Sequence, residues 1–252
     1  KNAATEISPG DSAAISQTLY IGPKDQVILA TLAENLDLVI DYGWLWWLAQ
    51  PLFWLLTLIQ QFVINWGLSI IILTLIIKLV FFQLSAASYK SMAKMRTVQP
   101  KIQSIRDQYA EDKAKQQQAM MELWKKEKIN PMGGCLPMLV QMPVFIALYW
   151  VLLESVELRH APFMLWIDDL SAMDPYFILP ILMGISMWLM QRLNPAPPDP
   201  IQAKVMMYMP IAFTFLMMWF PSGLVLYWLC NNLLSFGQQY VITKQIERAA
   251  AR

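Results

Sequence analysis

The chain has 252 residues, of which 57% are hydrophobic and 15% are charged, and its formal net charge is +1. Because an average soluble domain carries about 25% charged residues, this composition favours a membrane protein over a soluble enzyme. The single histidine and the two widely separated cysteines exclude a disulfide framework and most protein metal sites.

Residues 1–43 form a polar segment of mixed composition. We interpret this segment as the edge of a soluble domain. Because residue 1 is Lys rather than Met, we expect the rest of that domain to lie outside this chain.

The next segment, residues 44–62, reads "WLWWLAQPLFWLLTLIQQF" and carries no charge. Gln50, Thr57 and Gln61 recur at spacings of seven and four residues, which places them on one face of a helix. A tryptophan-rich amphipathic helix is typical of the boundary between water and lipid. The sequence therefore predicts an interfacial helix ahead of the main bundle.

The remainder, residues 63–252, predicts an all-α polytopic membrane protein with a core of five transmembrane helices. The five apolar segments are 66–84, 135–153, 176–190, 205–219 and 222–242. A helix needs about 20 residues to cross a hydrocarbon core of about 30 Å. The third and fourth segments hold 15 residues each. They reach only ~22 Å, which predicts local thinning of the bilayer or shielding by other helices.

The distribution of Lys and Arg predicts the orientation of these segments. Fifteen of these residues lie on one side of the five crossings, and ten of the fifteen are in the 85–134 loop. Only Lys1, Lys24 and Arg159 lie on the other side. Cytoplasmic loops are the ones enriched in Lys and Arg, so the N-terminal segment is expected outside and the C-terminus in the cytoplasm. Five crossings place the two ends of the chain on opposite sides of the membrane, whereas a sixth crossing at 44–62 would place them on the same side.

The cytoplasmic stretch 85–130 predicts a charged helical hairpin. The residues "YAEDK" supply a turn near its middle, and Asn130-Pro131 ends its second helix. A plain solvated connector is the alternative. The stretch is far longer than the two to eight residues that usually join packed helices, which favours a docking element.

Lys78 is the most informative residue of the chain. Of the four residues on each side of it, all are apolar except Thr74. A lysine at the centre of a membrane helix costs about 2.5–3.5 kcal/mol on insertion scales. One interpretation is that its long side chain reaches the cytoplasmic end of the helix. The other is that water reaches the ammonium group inside the bundle.

Polar residues in the other segments support the second interpretation. Gln141, Gln191 and Tyr227 lie in or at the end of apolar segments, and no acidic residue lies within any of the five. An unpaired cation among amides and hydroxyls persists only where it is hydrated. We therefore expect a wet, positively charged groove that receives acidic or polar segments crossing the membrane. Methionines throughout the segments predict a soft binding surface.

Several stretches resemble the YidC/Oxa/Alb family of membrane protein insertases, in its bacterial branch. They are "NWGLSIIILTLIIKLVFFQL", "SMAKMRTVQPKIQSIRDQY", "KINPMGGCLPMLVQMPVFIALYWVL", "PFMLWIDDLSAMDPYFILPILMG" and "FPSGLVLYWL". The resemblance runs from about Tyr20 to Lys244. It implies that residues 1–43 are the last part of a large periplasmic domain. The family's first transmembrane helix and most of that domain are then expected outside this chain.

The resemblance also implies a function. The chain would insert and help fold nascent proteins in the bacterial inner membrane, without a cofactor, alone or beside the Sec translocon. Its partners would be nascent membrane proteins, the lipid bilayer, the ribosome and the signal recognition machinery, with no specific binding of nucleic acid.

The resemblance assigns roles to particular residues. The positive residue of the family's groove, usually Arg, is Lys78 here, which keeps the charge but loses the bidentate geometry of a guanidinium. Thr74 and Trp228 fall on positions that contact substrate in the family. The expected groove comprises Lys78, Thr74, Gln141, Gln191, Tyr227 and Trp228. An apolar path along which substrate helices slide into lipid is expected at Met142, Phe145 and Leu216.

Three other classes of function are weighed against this one. An intramembrane enzyme lacks support, because His160 lies outside the membrane, no G-x-S-x-G motif occurs and no acidic pair lies within a segment. An anion channel or transporter usually shows internal repeats, and none is apparent. An assembly scaffold or chaperone without insertion activity is the strongest alternative.

Overall fold

The computed structural model describes residues 9–10, 12, 14, 19–127, 129, 136–194 and 200–250. Within these residues all regular structure is helical, apart from one isolated bridge between Met173 and Pro221, so the predicted all-α class is confirmed. The chain divides into two compact units, Lys1–Val39 and Ile40–Arg252. The expected domain boundary at residue 43 stays a prediction.

Among its described residues, the first unit contains one short α-helix, α1 (Gln26–Leu32). Asp25 caps it, because its carboxylate accepts a 3.0 Å hydrogen bond from the backbone N–H of Ile28. A 3₁₀ turn over Leu36–Val39 follows.

The second unit contains the remaining helices. They are α2 (Trp46–Val63), α3 (Trp66–Val80), α4 (Phe82–Thr97), α5 (Gln99–Gln108), α6 (Lys113–Lys126), α7 (Leu136–Glu154), α8 (Ile178–Leu193), α9 (Pro200–Met217) and α10 (Ser222–Ala250). In the part of the chain that the structure describes, none of these helices alone combines the length and the apolar character that a membrane span needs. Taken together, α3 and α4 meet both conditions, but they are bent by 68°. The number of membrane crossings stays a prediction.

The bend corrects the expectation of one continuous helix over 66–84. The helix breaks at Phe81, whose ψ of 10° takes it out of the helical path, so α3 ends at Val80, two residues after Lys78. Gln238 of α10 donates to the carbonyl of Phe82 at 3.1 Å, beside the break. An outside donor at the backbone ladder is one of the recognised causes of a kink. As a result, α4 continues in a different direction from the helix that carries Lys78.

The long helix α10 is the centre of the bundle and packs against α3, α4 and α8. Leu224 and Val225 near its start are fully buried, as are Leu73 of α3 and Met183 of α8. Helix α2 packs against α3 and α7 through a face that includes Leu56. Its other side is exposed and carries three tryptophans, Trp46, Trp47 and Trp54. The interfacial position of α2 stays a prediction.

Helices α5 and α6 pack together beyond the end of α4. The turn between them, residues 109–112, holds the first four residues of "YAEDK", and Lys113 begins α6. Buried Val98, Ile102 and Met120 hold the pair together, supported by Trp124. On its surface the Lys101 ammonium donates to the Glu127 carboxylate at 2.6 Å. This hydrogen bond and the lysine charge lower the pKa of Glu127.

The loop between α7 and α8 is ordered by the buried carboxylate of Asp174. That carboxylate accepts hydrogen bonds from the Trp166 indole at 2.9 Å and from the backbone N–H groups of Tyr176 at 3.0 Å and Leu179 at 2.7 Å. The last of these satisfies a backbone N–H in the first turn of α8. The same loop meets the start of α10, because Ser222 donates to the carbonyl of Ala172 at 2.7 Å.

We predict that Asp174→Ala destabilises the bundle, because it leaves three donors without an acceptor. A buried unsatisfied donor costs about 1–3 kcal/mol, so we expect the free energy of unfolding to fall by about 2–4 kcal/mol. Denaturant titration in detergent micelles measures this change. Asp168→Ala, at an exposed position of the same loop, is the control and should unfold like the parent chain. Equal unfolding of the two variants would contradict the role of Asp174.

Candidate functional site

A cavity of about 200 Å³ lies inside the bundle, bounded by α3, α4, α7, α8, α9 and α10. It lies near the C-terminal ends of α3 and α8, the N-terminal part of α7 and the middle parts of α9 and α10. These parts of the helices lead into the 85–134 loop, the 191–204 loop and the tail, which are rich in Lys and Arg. The cavity therefore lies at the positively charged end of the bundle.

Lys78 contributes the positive charge of the cavity wall. Its ammonium donates a 2.6 Å hydrogen bond to the Ser235 hydroxyl of α10, and that hydroxyl donates to the carbonyl of Asn231 at 2.6 Å. The side chain is thus directed into the bundle. Among the described residues no carboxylate lies within 4.0 Å of the ammonium. Its hydrogen bond is to a neutral hydroxyl, and a buried cation without a counter-charge requires hydration.

Three buried polar atoms on the same wall have no hydrogen-bond partner within the described residues. They are the indole nitrogen of Trp228 and the amide oxygens of Asn231 and Gln239. Leaving such an atom unpaired costs about 1–3 kcal/mol. The residues that carry these atoms line the cavity, whose volume is enough for several water molecules.

Amide nitrogens on the wall, in contrast to those oxygens, form hydrogen bonds between helices. Gln239 donates to the Asn194 side chain at 2.8 Å, and Asn232 donates to the hydroxyl of Ser186 at 3.1 Å. Gln191 donates to the carbonyl of Met206. These bonds join α10 to α8 and α8 to α9, so they fix the shape of the wall around the unpaired atoms.

Methionine supplies much of the apolar part of the wall. Among the side chains that the structure describes, six methionines line the cavity: Met92, Met142, Met187, Met190, Met206 and Met209. Met142 and Met209 are exposed, so the cavity communicates with the surface of the bundle. Flexible thioethers adapt to guests of different shape. The cavity therefore combines a fixed polar side with a deformable apolar side.

The structure brings four of the six expected groove residues to the cavity: Lys78, Gln141, Gln191 and Trp228. The other two lie behind the wall. Tyr227 is buried and its hydroxyl accepts a hydrogen bond from Gln141, so it positions that amide. Thr74 is fully buried and donates to the carbonyl of Ile70 at 2.7 Å. A direct contact of either residue with substrate stays a prediction.

The residues of the expected apolar path are not all neighbours. Met142 lines the cavity, and Phe145 packs edge-to-face on Trp228 with 4.5 Å between ring centroids. Leu216 of α9 is 50% exposed and does not line the cavity. Their role as a continuous path stays a prediction.

Sequence reasoning missed four polar residues of the wall, Tyr89, Asn194, Ser235 and Gln239. Two of them had a detectable signal, because Asn231, Ser235 and Gln239 recur every four residues along α10 and so share one helical face. Asn194 had none, because it lies at the end of α8 and is placed by its bond to Gln239.

The comparisons with known proteins agree on one family. The model of the 60Kd inner membrane protein family matches residues 58–249, and that of the YidC periplasmic domain matches residues 1–55. A membrane protein insertase YidC from Marinomonas sp. strain MWYL1 is 66% identical over 247 residues, which cover 98% of this chain and 45% of the relative. One from Pseudomonas fluorescens strain SBW25 is 63% identical over 249 residues, covering 99% and 44%. The chain thus spans less than half the length of these relatives.

A solved structure supports the same relationship. It is described as an active YidC insertase crystal structure with the first transmembrane domain resolved. It superposes with a TM-score of 0.65 at 29% sequence identity, over 87% of this chain and 54% of that one.

We predict that water reaches position 78. With Cys135 and Cys230 replaced by Ala, a cysteine at position 78 should react with a membrane-impermeant thiol reagent about tenfold faster than one at position 73 or 79, because only a hydrated thiol ionises readily. Leu73 is buried on the same helix, whereas Leu79 is 70% exposed on the outside of the bundle. Labelling rates followed by mass spectrometry measure the difference. Equal rates at 78 and 79 would show that the cavity is dry.

Proposed function

The chain belongs to the family of the 60Kd inner membrane protein, in which its curated relatives are named membrane protein insertase YidC, and on this basis we propose that it inserts nascent proteins into the bacterial inner membrane. Those relatives are named as insertases rather than as enzymes. The proposed substrate is the polar segment of a nascent membrane protein that must cross the bilayer, and no cofactor takes part.

One observation carries the proposal: an ammonium group without a counter-charge among the described residues shares its cavity with three unpaired buried polar atoms. A polypeptide segment in transit offers matching groups. Carboxylates are attracted to Lys78, backbone carbonyls accept from Trp228, and backbone N–H groups donate to Asn231 or Gln239. The cavity thus replaces part of the hydration that the segment loses.

The proposed orientation follows from the charged end of the bundle. Because cytoplasmic loops are enriched in Lys and Arg, the cavity would open in the cytoplasmic half of the membrane, with the C-terminus in the cytoplasm and the N-terminal segment in the periplasm. In this arrangement the first of the five crossings is α3 with the start of α4, residues 66–84. The other four are formed by α7, α8, α9 and α10. Helix α2 would lie at the outer water–lipid boundary.

Short helices would reduce the distance that the segment must cross. Helix α8 has 16 residues and α9 has 18. At ~1.5 Å per residue they reach ~24 and ~27 Å, less than a hydrocarbon core of about 30 Å. Lipid beside them would thin to match, and the cost of mismatch is modest.

Burial of the substrate's apolar helix in lipid would then drive the reaction. Transfer of apolar surface out of water contributes about 25 cal/mol per Å², which favours the inserted state without any nucleotide. Phe145 and Leu216, on α7 and α9, would guide this helix past Met142 towards lipid. Attraction at Lys78 need only be modest, because tight binding would retain the substrate.

Further partners are proposed for the hairpin formed by α5 and α6. It carries much of the Lys and Arg of the 85–134 loop, and it is held together by its own buried cluster. A basic, self-supporting element at the cytoplasmic face suits contact with the ribosome or the signal recognition machinery. Cooperation with the Sec translocon is proposed from the relationship alone.

We predict that Lys78→Ala slows insertion of substrates with acidic tails about tenfold, because a hydrogen bond to a charged group contributes about 1.5 kcal/mol or more. Lys78→Arg should retain the activity because it retains the charge. The measurement is protease protection of the translocated tail in reconstituted vesicles. Lys90→Ala is the matched control, since it removes an exposed charge from α4.

The same assay distinguishes the proposal from its rivals. Parent-like insertion by both Lys78→Ala and Lys78→Glu would exclude a charged binding cavity. A scaffold without insertion activity would leave substrate tails unprotected even with the unaltered chain. An anion channel would show ion flux that changes with Lys78 while insertion does not.

We also predict a role for the Trp228 indole nitrogen. Trp228→Phe keeps an aromatic ring against Phe145 but removes the N–H donor. Insertion should slow about threefold, as expected for one neutral hydrogen bond of about 0.5–1.5 kcal/mol. Trp54→Phe on the exposed side of α2 is the control. Unchanged insertion by Trp228→Phe would show that this donor does not contact substrate.

A further inference from the structure

A second concavity lies between α8 and α9, separate from the cavity around Lys78. It is a groove of about 480 Å³, and its walls include Ile185 and Trp188 of α8 and Ile211 and Phe215 of α9. All four of these side chains are exposed. The groove is therefore an open apolar channel along the outside of the helix pair.

The polar group at the floor of the groove, the hydroxyl of Thr214, already has a hydrogen-bond partner. The helices approach closely at Gly184, where a Cβ atom would lie only 2.0 Å from the Thr214 hydroxyl oxygen. That hydroxyl already donates to the carbonyl of Pro210 at 2.7 Å. Because its polar group is satisfied within α9, the floor is suited to hydrocarbon.

One end of the groove carries a positive charge. Arg192 follows Trp188 by one turn on the same face of α8, and its guanidinium carbon lies 3.8 Å from the centre of the indole ring. The side chain is exposed, and within the described residues no carboxylate lies within 4.0 Å of it. The cation is thus fixed in place by stacking, with its hydrogen-bond donors free to face outwards.

We propose that this groove binds an anionic glycerophospholipid, with one acyl chain between α8 and α9 and the phosphate on Arg192. An acyl chain fills an apolar channel without hydrogen bonds, and a guanidinium binds phosphate oxygens in a bidentate geometry. A transmembrane helix of a partner protein would fill the channel but would have to bring a buried carboxylate to Arg192. Charge complementarity therefore favours the lipid.

The inference rests on the proposed position of the chain in the membrane, and it does not depend on insertion activity. In the proposed orientation Arg192 lies at the cytoplasmic boundary, where anionic lipid headgroups and basic residues meet. A lipid bound there would lie against the face of α8 and α9 that points away from the bundle.

Native mass spectrometry of the purified chain, titrated with phosphatidylglycerol or phosphatidylcholine, tests the proposal. The first phosphatidylglycerol should bind about fivefold tighter than phosphatidylcholine, the factor expected from one favourable charge at a headgroup. Arg192→Gln should abolish the preference, whereas Ile185→Trp should weaken binding of both lipids by filling the groove. Lys90→Gln is the control for charge. Leu189→Trp, exposed on α8 but outside the groove, is the control for added bulk.

The other possible results of these experiments either support or overturn the proposed lipid site. Equal binding of the two lipids, or a preference that survives Arg192→Gln, would overturn the proposal, and so would full binding by Ile185→Trp. A photocrosslinker at position 211 that captures a protein instead of a lipid would assign the groove to a partner helix. Lipid preference should persist in Lys78→Ala, which separates this test from that of the proposed insertion activity.

Discussion

The Lys78 ammonium, inside an apolar bundle and without a counter-charge in the described residues, is the constraint on which the site depends. A charge in this position costs several kcal/mol unless water or polar groups surround it. The structure meets the requirement with the Ser235 hydroxyl, with a polar face on α10 and with a cavity large enough for water. Complete hydration would remove the attraction for a guest. The hydrogen bond to Ser235 stabilises the ammonium in part and leaves its other donors available to a guest.

The packing of α10 explains how such a cavity persists in a helical bundle. Its start, at Leu224 and Val225, is buried among apolar side chains, which stabilise the bundle through close contact. Its middle, from Trp228 to Gln239, faces the cavity. Ile242, beyond that stretch, packs on α4. Cross-helix amide bonds, such as the one from Gln239 to Asn194, then hold the wall open. One helix therefore provides both the stability of the bundle and the polarity of the site.

The sequence predicted the parts of the fold that depend on local pattern. Three features could be predicted because each depends on residues that are neighbours in the sequence. They are the apolar segments of helical length, the turn at "YAEDK" and the apolar surroundings of Lys78. The break at Phe81 was not readable: no proline or glycine marks it, and its outside donor, Gln238, is 157 residues away from Phe81. For the same reason Thr74 and Tyr227, which share helices with wall residues, were expected in the groove although tertiary packing places them behind it.

The six methionines of the cavity wall have a chemical consequence beyond their flexibility. Oxidation turns a thioether into a sulfoxide, a polar and chiral group, and dedicated reductases reverse the change. A sulfoxide at Met142 or Met209, the exposed members of the set, would place a strong hydrogen-bond acceptor where apolar guests must pass. The surface that adapts to guests is therefore also one whose polarity oxidants would change and reductases would restore.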